Sequence, residues 1–214
     1  MENKILGIHH ITAIAGAAQR NYDFYTNVLR LRLVKKTVNF DDPGTHHFYY
    51  GNEAGEPGTI LTFFPWTTVK RGINGIGMAT EIGYSVPAHS LDFWAGRFKE
   101  KRVFFKQPVE RFGEKILPFE DPDGLEMFLV VPDKNDSRTP WTTGNVSAEV
   151  PTRGFYSVTL QLQKVEPTAK ILTDLFGYRL LKQEGSRYRF ITDAVDNASI
   201  VDIVETPDGK RGVN

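Results

Sequence analysis

Apolar positions along the chain recur with two periods, and the switches between those periods mark the elements. Residues 7–15, GIHHITAIA, form an apolar run broken by two histidines and predict a β-strand. Alternation within such a strand sends His9 and His10 to opposite faces. The next stretch, QRNYDFYTNVL (19–29), sets Tyr22, Tyr25 and Leu29 at helical spacing, and LRLVKK, THHFYYGN and GTILTFFPW then read as strands split by Gly and Pro. The same order returns with GMATEIGYSV as a strand, SLDFWAGRFKE as a helix and ILPFEDPDGLEMFLVV as a hairpin turning at DPDG. A third round runs from SVTLQL through the helix VEPTAKILTDLFG, with Pro167 near its start and Gly177 as its C-cap, to the strands in SRYRFITDA and ASIVDIVETP.

The rounds are copies of one another. NVLRLRLVKK (27–36) aligns with DLFGYRLLKQ (174–183), matching Arg32 to Arg179, Leu33 to Leu180 and Lys35 to Lys182. The same offset lays HITAIA on SVTLQL, so His10 corresponds to Ser157, and Glu81 holds that place in the worn middle copy. Each copy predicts βαβββ. The expected fold class is therefore α+β, with tandem βαβββ units forming open barrel-like mixed sheets. The expected division is unit 1 over 1–70, unit 2 over 71–135, a linker over 136–151, unit 3 over 152–209 and a second linker over 210–214. KRGVN at 210–214 repeats KRGIN at 70–74, which leads into the strand opening unit 2, so a fourth unit is expected beyond Asn214.

Composition narrows the chemistry. The 214 residues carry 26 basic and 26 acidic side chains, and this balance leaves no footprint for nucleic acid or an anionic membrane surface. No apolar run approaches the roughly 20 residues that cross a bilayer, and the mixed-charge start MENKILGIHH does not read as a signal peptide, so a cytoplasmic protein is expected. The chain contains no Cys, which excludes a thiol nucleophile, a disulfide framework and thiolate metal sites. Any metal must be held by His and carboxylate, a donor set suited to Fe(II), Mn(II), Zn or Ni. There is no Gly-rich phosphate loop, nucleophile elbow or HExxH helix.

GIHHITAIAG, NYDFYTNVL, LRLVKKTVNFDDPGT, GTILTFFPW and DPDGLEMFLV together resemble the vicinal-oxygen-chelate superfamily. Within it they are most similar to the ring-cleaving dioxygenases of the glyoxalase/bleomycin-resistance/dioxygenase group that act on hydroquinones. The resemblance covers essentially the whole chain, and full-length relatives have four βαβββ units. It implies mononuclear Fe(II), with Mn(II) as the alternative, bound by two His and one Glu. The second His of HHIT, here His10, is the first ligand; the other two belong to the fourth unit. Two positions depart from the group's pattern: Arg30 replaces a helix-ending Gly, where an αL residue costs about 1 kcal/mol, and His46 replaces an aromatic.

By pattern alone, the HH pair reads as one buried and one surface residue; the resemblance makes His10 the metal ligand. Thr12 shares its face and is placed to hydrogen-bond a ligand, and His9 is a candidate for proton transfer. These two are the expected catalytic residues. Glu81 and Glu126 read as solvated edge carboxylates ahead of substitute metal ligands, Phe128 stands where glyoxalase-type members keep a Glu, and His46 and His47 read as surface or loop residues ahead of metal ligands beside His10. Phe40, Phe63, Phe64, Trp66, Phe93 and Trp94 read mostly as core, with one or two walling an aromatic pocket.

The expected activity is metal-dependent, extradiol-type cleavage of a hydroquinone- or catechol-like ring with O2. A glyoxalase-like lyase or isomerase and a metal-free binding protein of the bleomycin-resistance type are the alternatives. The 214 residues by themselves hold one ligand and are expected to show little turnover. Sheet edge and apolar surface left open by an unpaired unit favour homo-oligomers.

Overall fold

A computed structural model describes residues 5–142 and 150–213. The order strand, helix, three strands occurs three times among them. The first round is β1 (His10–Ala15), α1 (Ala18–Asp23), β2 (Arg32–Val38), β3 (His46–Gly51) and β4 (Ile60–Pro65). The second is β5 (Met78–Ser85), α2 (Leu91–Glu100), β6 (Val109–Arg111), β7 (Glu114–Glu120) and β8 (Glu126–Val130). The third is β9 (Gly154–Leu162), α3 (Glu166–Asp174), β10 (Arg179–Glu184), β11 (Arg187–Ile191) and β12 (Ile200–Glu205). Each opening strand pairs in parallel with its round's closing strand, and the remaining pairs are antiparallel, giving the mixed sheets expected.

Two sheets result. The first has the order β1-β4-β3-β2, so β1 is an edge strand. The second, β10-β11-β12-β9-β5-β8-β7-β6, joins two rounds through the antiparallel pair β5·β9. In that pair Glu81 faces Thr159 and Gly83 faces Ser157. A local two-fold relating Glu81 to Ser157 requires this pairing, and it agrees with the correspondence read from the repeat.

The strand pleat divides each sheet between a dry side and a chemical side. On the dry side Tyr50, Leu61 and Phe63 of the first sheet and Ile82, Tyr84, Leu117 and Leu129 of the second join Trp94 and Phe98 of α2 and Tyr25 in one core. The DPDG turn bolts the two sheets together. Asp121 accepts from the Tyr25 hydroxyl at 2.9 Å, and Asp123 accepts from the backbone of Gly16 at 3.0 Å and pairs with Arg20. Burial outweighs these hydrogen bonds and holds the Asp121 carboxyl above its ordinary pKa.

The structure departs from several local expectations. The strand predicted from residue 7 begins at His10, because Ile8 N–H bonds to Ala198 O and His9 O accepts from Gly58 N–H, each at 2.8 Å, outside the sheet ladder. The helix predicted over 19–29 ends its α geometry at Asp23. Phe24–Val28 form a π-helical turn, closed by Leu29 N–H on Phe24 O at 3.1 Å. Arg30 keeps the left-handed conformation, φ 57°, where Gly177 in the third round has 73°. Phe40, read as core, is 91% exposed. Within the stretch read as a linker, residues 143–149 lie outside the described residues. Arg138 in that stretch is firmly anchored, donating to Asp136, to Gly58 O at 2.8 Å and to Phe155 O at 2.9 Å.

Candidate active site on the first sheet

The chemical side of the first sheet is set by register. His10 pairs with Ile60, Thr12 with Thr62 and Ile14 with Phe64, while Tyr49 on β3 also faces Thr62. One open face therefore carries His10 and Thr12 from β1, Thr62 and Phe64 from β4, and His47 and Tyr49 from β3. The site residues read from the sequence lie together here: His10 and Thr12 are both exposed on this face.

His9 precedes β1, so strand alternation does not turn it away. Its Nδ1 lies 3.1 Å from His10 Nδ1 with the rings edge to face, contrary to the expected opposition of the two side chains. When His10 donates its Nδ1 hydrogen to His9, His10 Nε2 is left with a bare lone pair, the form of imidazole that binds a metal. Among the described residues Nε2 has no hydrogen-bond partner. Beside it, Thr12 Oγ1 and Thr62 Oγ1 are 2.9 Å apart, Thr62 Oγ1 is 3.0 Å from His47 Nε2, and His47 Nδ1 is 2.9 Å from the Tyr49 hydroxyl. Burial, and then the nearby Lys35 and the neighbouring His10 ring, hold His47 below the ordinary imidazole pKa.

An aromatic row borders these polar groups. His47 stacks on Phe64 at 4.0 Å and Phe64 on Trp66 at 5.8 Å, and the Trp66 indole is fixed by its N–H to Asp42 at 3.0 Å. Phe64 and Trp66 are half-buried on the open face, whereas Phe63 and Trp94 are core. His47 is a half-buried sheet residue, not the surface or loop residue expected, while its neighbour His46 is exposed against Phe48. The signal that finds His47 is its period-two spacing with Tyr49 in HHFYY, combined with the β3–β4 register.

The second sheet uses its chemical side differently. Glu81 accepts a two-pronged bond from Arg111 at 3.0 and 3.1 Å and another from Arg187 at 2.9 Å. Arg189 grips Asp202 at 2.8 and 3.0 Å, reaches Glu114 at 2.6 Å and lies over the Phe112 ring. The carboxylate expected at the solvated edge is thus an inward-facing ion-paired group. Burial works to raise the Glu81 pKa, but the two guanidiniums outweigh it and the net direction is downward. Glu126, opposite Glu81 on β8, is pushed up by burial and then by the Glu81 charge.

By register, Asp202 on β12 stands where Thr62 and Phe128 stand in the other rounds. Sequence reading missed this carboxylate, and Arg189 occupies it. Three guanidiniums meet three carboxylates, and β10 closes over them through Lys182 and Glu184 on the backbone of Phe112. Among the described residues, no group of three His, Asp or Glu side chains is placed to hold a metal ion. On the open face of the first sheet, among the described residues, His10 Nε2 fits a metal as a single ligand.

Repeated βαβββ units whose curled sheets expose one imidazole beside hydroxyls define a class of small-molecule site built on the open face of a mixed sheet. Residues 7–127 match the Glyoxalase/Bleomycin resistance protein/Dioxygenase superfamily, and the chain belongs to that family. It is 43% identical over 210 residues to "Putative ring-cleaving dioxygenase MhqO" of Bacillus subtilis, covering 98% of this chain and 66% of that protein. It is 32% identical over 215 residues to "Chlorohydroquinone/hydroquinone 1,2-dioxygenase" of Sphingobium indicum, covering 99% and 67%. The chain therefore spans about two thirds of the length of these relatives. The crystal structure of a "putative dioxygenase" from Bacillus subtilis superposes with a TM-score of 0.92 at 42% identity, over 99% of this chain and 68% of that one. Glyoxalase I from Zea mays shares the fold, with a TM-score of 0.70 at 16% identity over 97% and 71%. Among the described residues no helix is long and apolar enough to cross a membrane.

Proposed function

We propose that the chain forms the His10 side of an Fe(II)-dependent, extradiol-type dioxygenase that cleaves a hydroquinone- or catechol-like ring with O2. The observation that carries this reading is the His10 imidazole, its Nδ1 engaged by His9 and its Nε2 bare on an open face walled by Phe64 and Trp66. The names of the relatives support it. The remaining His and Glu ligands come from a further βαβββ unit outside the 214 residues. Among the described residues β1 is an edge strand, whereas the corresponding β5 is paired with β9. A divalent metal held in part by His10 would supply Lewis acidity to the substrate hydroxyls and a site for O2.

The chain's own residues do the rest. His9 fixes the tautomer and orientation of His10. Thr12 presents a hydroxyl to the substrate oxygen, and Phe64 and Trp66 stack along a flat ring and keep water from it.

Metal analysis and oxygen uptake test the proposal. Protein carrying the further unit is expected to hold one iron (or, in the alternative, manganese) per chain and to consume O2 with hydroquinone. His10→Ala is expected to lose the metal while keeping the far-ultraviolet spectrum of the fold. Hydroquinone bound tightly by metal-free protein, with no O2 consumed, would identify a binding protein and refute the proposal.

A further inference from the structure

Four side chains on the open face are linked end to end: Thr12, Thr62, His47 and Tyr49, at 2.9, 3.0 and 2.9 Å. They come from three neighbouring strands. Each hydroxyl carries one hydrogen, and a neutral imidazole carries one on either nitrogen. That count permits two directions of donation. In one, Thr12 donates to Thr62, Thr62 to His47 Nε2, and His47 Nδ1–H to the Tyr49 oxygen, leaving the Tyr49 hydrogen for solvent. In the other, Tyr49 donates to Nδ1, Nε2–H to Thr62 and Thr62 to Thr12, leaving the Thr12 hydrogen for the site.

Thr62 is 1% exposed, so water does not compete for its single hydrogen. Tyr49 and Phe64 flank the His47 ring at 4.2 and 4.0 Å, which keeps both nitrogens aimed along the row. Imidazole can take a hydrogen at one nitrogen while releasing another from the second.

The geometry points to Thr12–Thr62–His47–Tyr49 as a proton wire that drains the hydroxyl proton of a bound hydroquinone from the His10 site to solvent; this rests on the function proposed above. The step balances. The substrate O–H gives its proton to Thr12, whose hydrogen passes to Thr62. The Thr62 hydrogen passes to His47 Nε2, the Nδ1 hydrogen to Tyr49, and the Tyr49 hydrogen to water. One proton enters and one leaves, no electron moves, and His47 is neutral before and after. The wire finishes in its opposite direction, so Thr12 donates to the new phenolate oxygen. His47, Thr62 and Tyr49 are positioning residues in this scheme, and only Thr12 touches substrate.

Anaerobic mixing of hydroquinone with metal-loaded protein that carries the further unit, followed by a pH indicator in stopped flow, reads the proton directly. Wild type is expected to release one proton per hydroquinone bound. Thr62→Val and His47→Gln are expected to keep metal content and hydroquinone affinity while slowing release by about tenfold or more, within the usual scale of acid–base assistance. Tyr49→Phe slows it in the same sense, and Thr62→Ser restores it. A second readout needs no metal: long-range proton–nitrogen spectra are expected to show His47 averaging between tautomers in wild type and biased to one in Thr62→Val. Release at the wild-type rate in the valine and glutamine variants, with binding intact, overturns the wire, as does a His47 tautomer indifferent to Thr62. Should Thr62→Val not fold, His47→Gln and Tyr49→Phe decide the matter. Failure of wild type to bind hydroquinone or release a proton refutes the dioxygenase reading itself.

Discussion

Replacing Arg189 with Met removes the charge at the centre of the second sheet while keeping an unbranched side chain over Phe112. Arg189 is 2% exposed, and its partners Glu114 and Asp202 are 7% and 0% exposed, so none of the three can turn to water. The wild-type triad is tightly satisfied, with two prongs on Asp202 at 2.8 and 3.0 Å and one bond to Glu114 at 2.6 Å. Deleting one partner of such a group costs about 3–5 kcal/mol, chiefly because the charges left behind are buried and uncompensated. Against a total stability of about 5–15 kcal/mol that is a large fraction. With a urea slope of about 2 kcal/mol per molar, the midpoint should fall by about 2 M at an unchanged slope. The assay is equilibrium urea unfolding at pH 7 of wild type, Arg189→Met, and the triple variant that adds Glu114→Gln and Asp202→Asn. If unpaired charge is the cause, the triple variant regains most of the loss. A single variant within about 1 kcal/mol of wild type, or a triple variant no better than the single, would refute the reasoning.

Two further outcomes follow from the same geometry. Arg30→Gly relieves the left-handed residue after the π turn, so it should stabilise by about 0.5–1 kcal/mol, raising Tm by about 1–3 °C; Arg30→Ala, which also drops the guanidinium nitrogen that has no partner but keeps the Cβ, should melt below Arg30→Gly, and equal melts would refute the backbone argument. The Glu81 pKa is depressed in the fold, so its ion pairs contribute stability above its ordinary value of 4.5 and lose it as the pH falls through the lower, folded value. Urea melts should therefore show Glu81→Gln clearly weaker than wild type at pH 7, with the gap narrowing below pH of about 4.5; a gap independent of pH would rule out the linkage.

Much of this arrangement was legible in the chain. Switches between helical and strand period, together with DPDG, Pro167 and Gly177, expose three βαβββ rounds because each round carries its own turn chemistry. His10 was singled out by the resemblance that HHIT carries and not by its pattern alone, and the fold places it exposed on an open face. Features that depend on lateral register were not. His47 meets Thr62 only because β3 lies beside β4, and Glu81 is captured by Arg111 and Arg187, which are 30 and 106 residues away. A carboxylate on a strand edge looks solvated until the sheet curls and brings distant guanidiniums over it. The π turn was hidden for a related reason. Phe24 and Tyr25 satisfy helical spacing in either geometry, and only the packing of both rings selects the wider turn.

The interlocked charges inside the second sheet also bear on how such a chain can vary. Three arginines and three acids there form mutual dependencies, so a single substitution strands a buried counterpart unless a second one compensates it. The hydroxyls and aromatic rings of the first sheet are uncharged, so a single exchange there costs a hydrogen bond or a packing contact and leaves no ion buried without a partner.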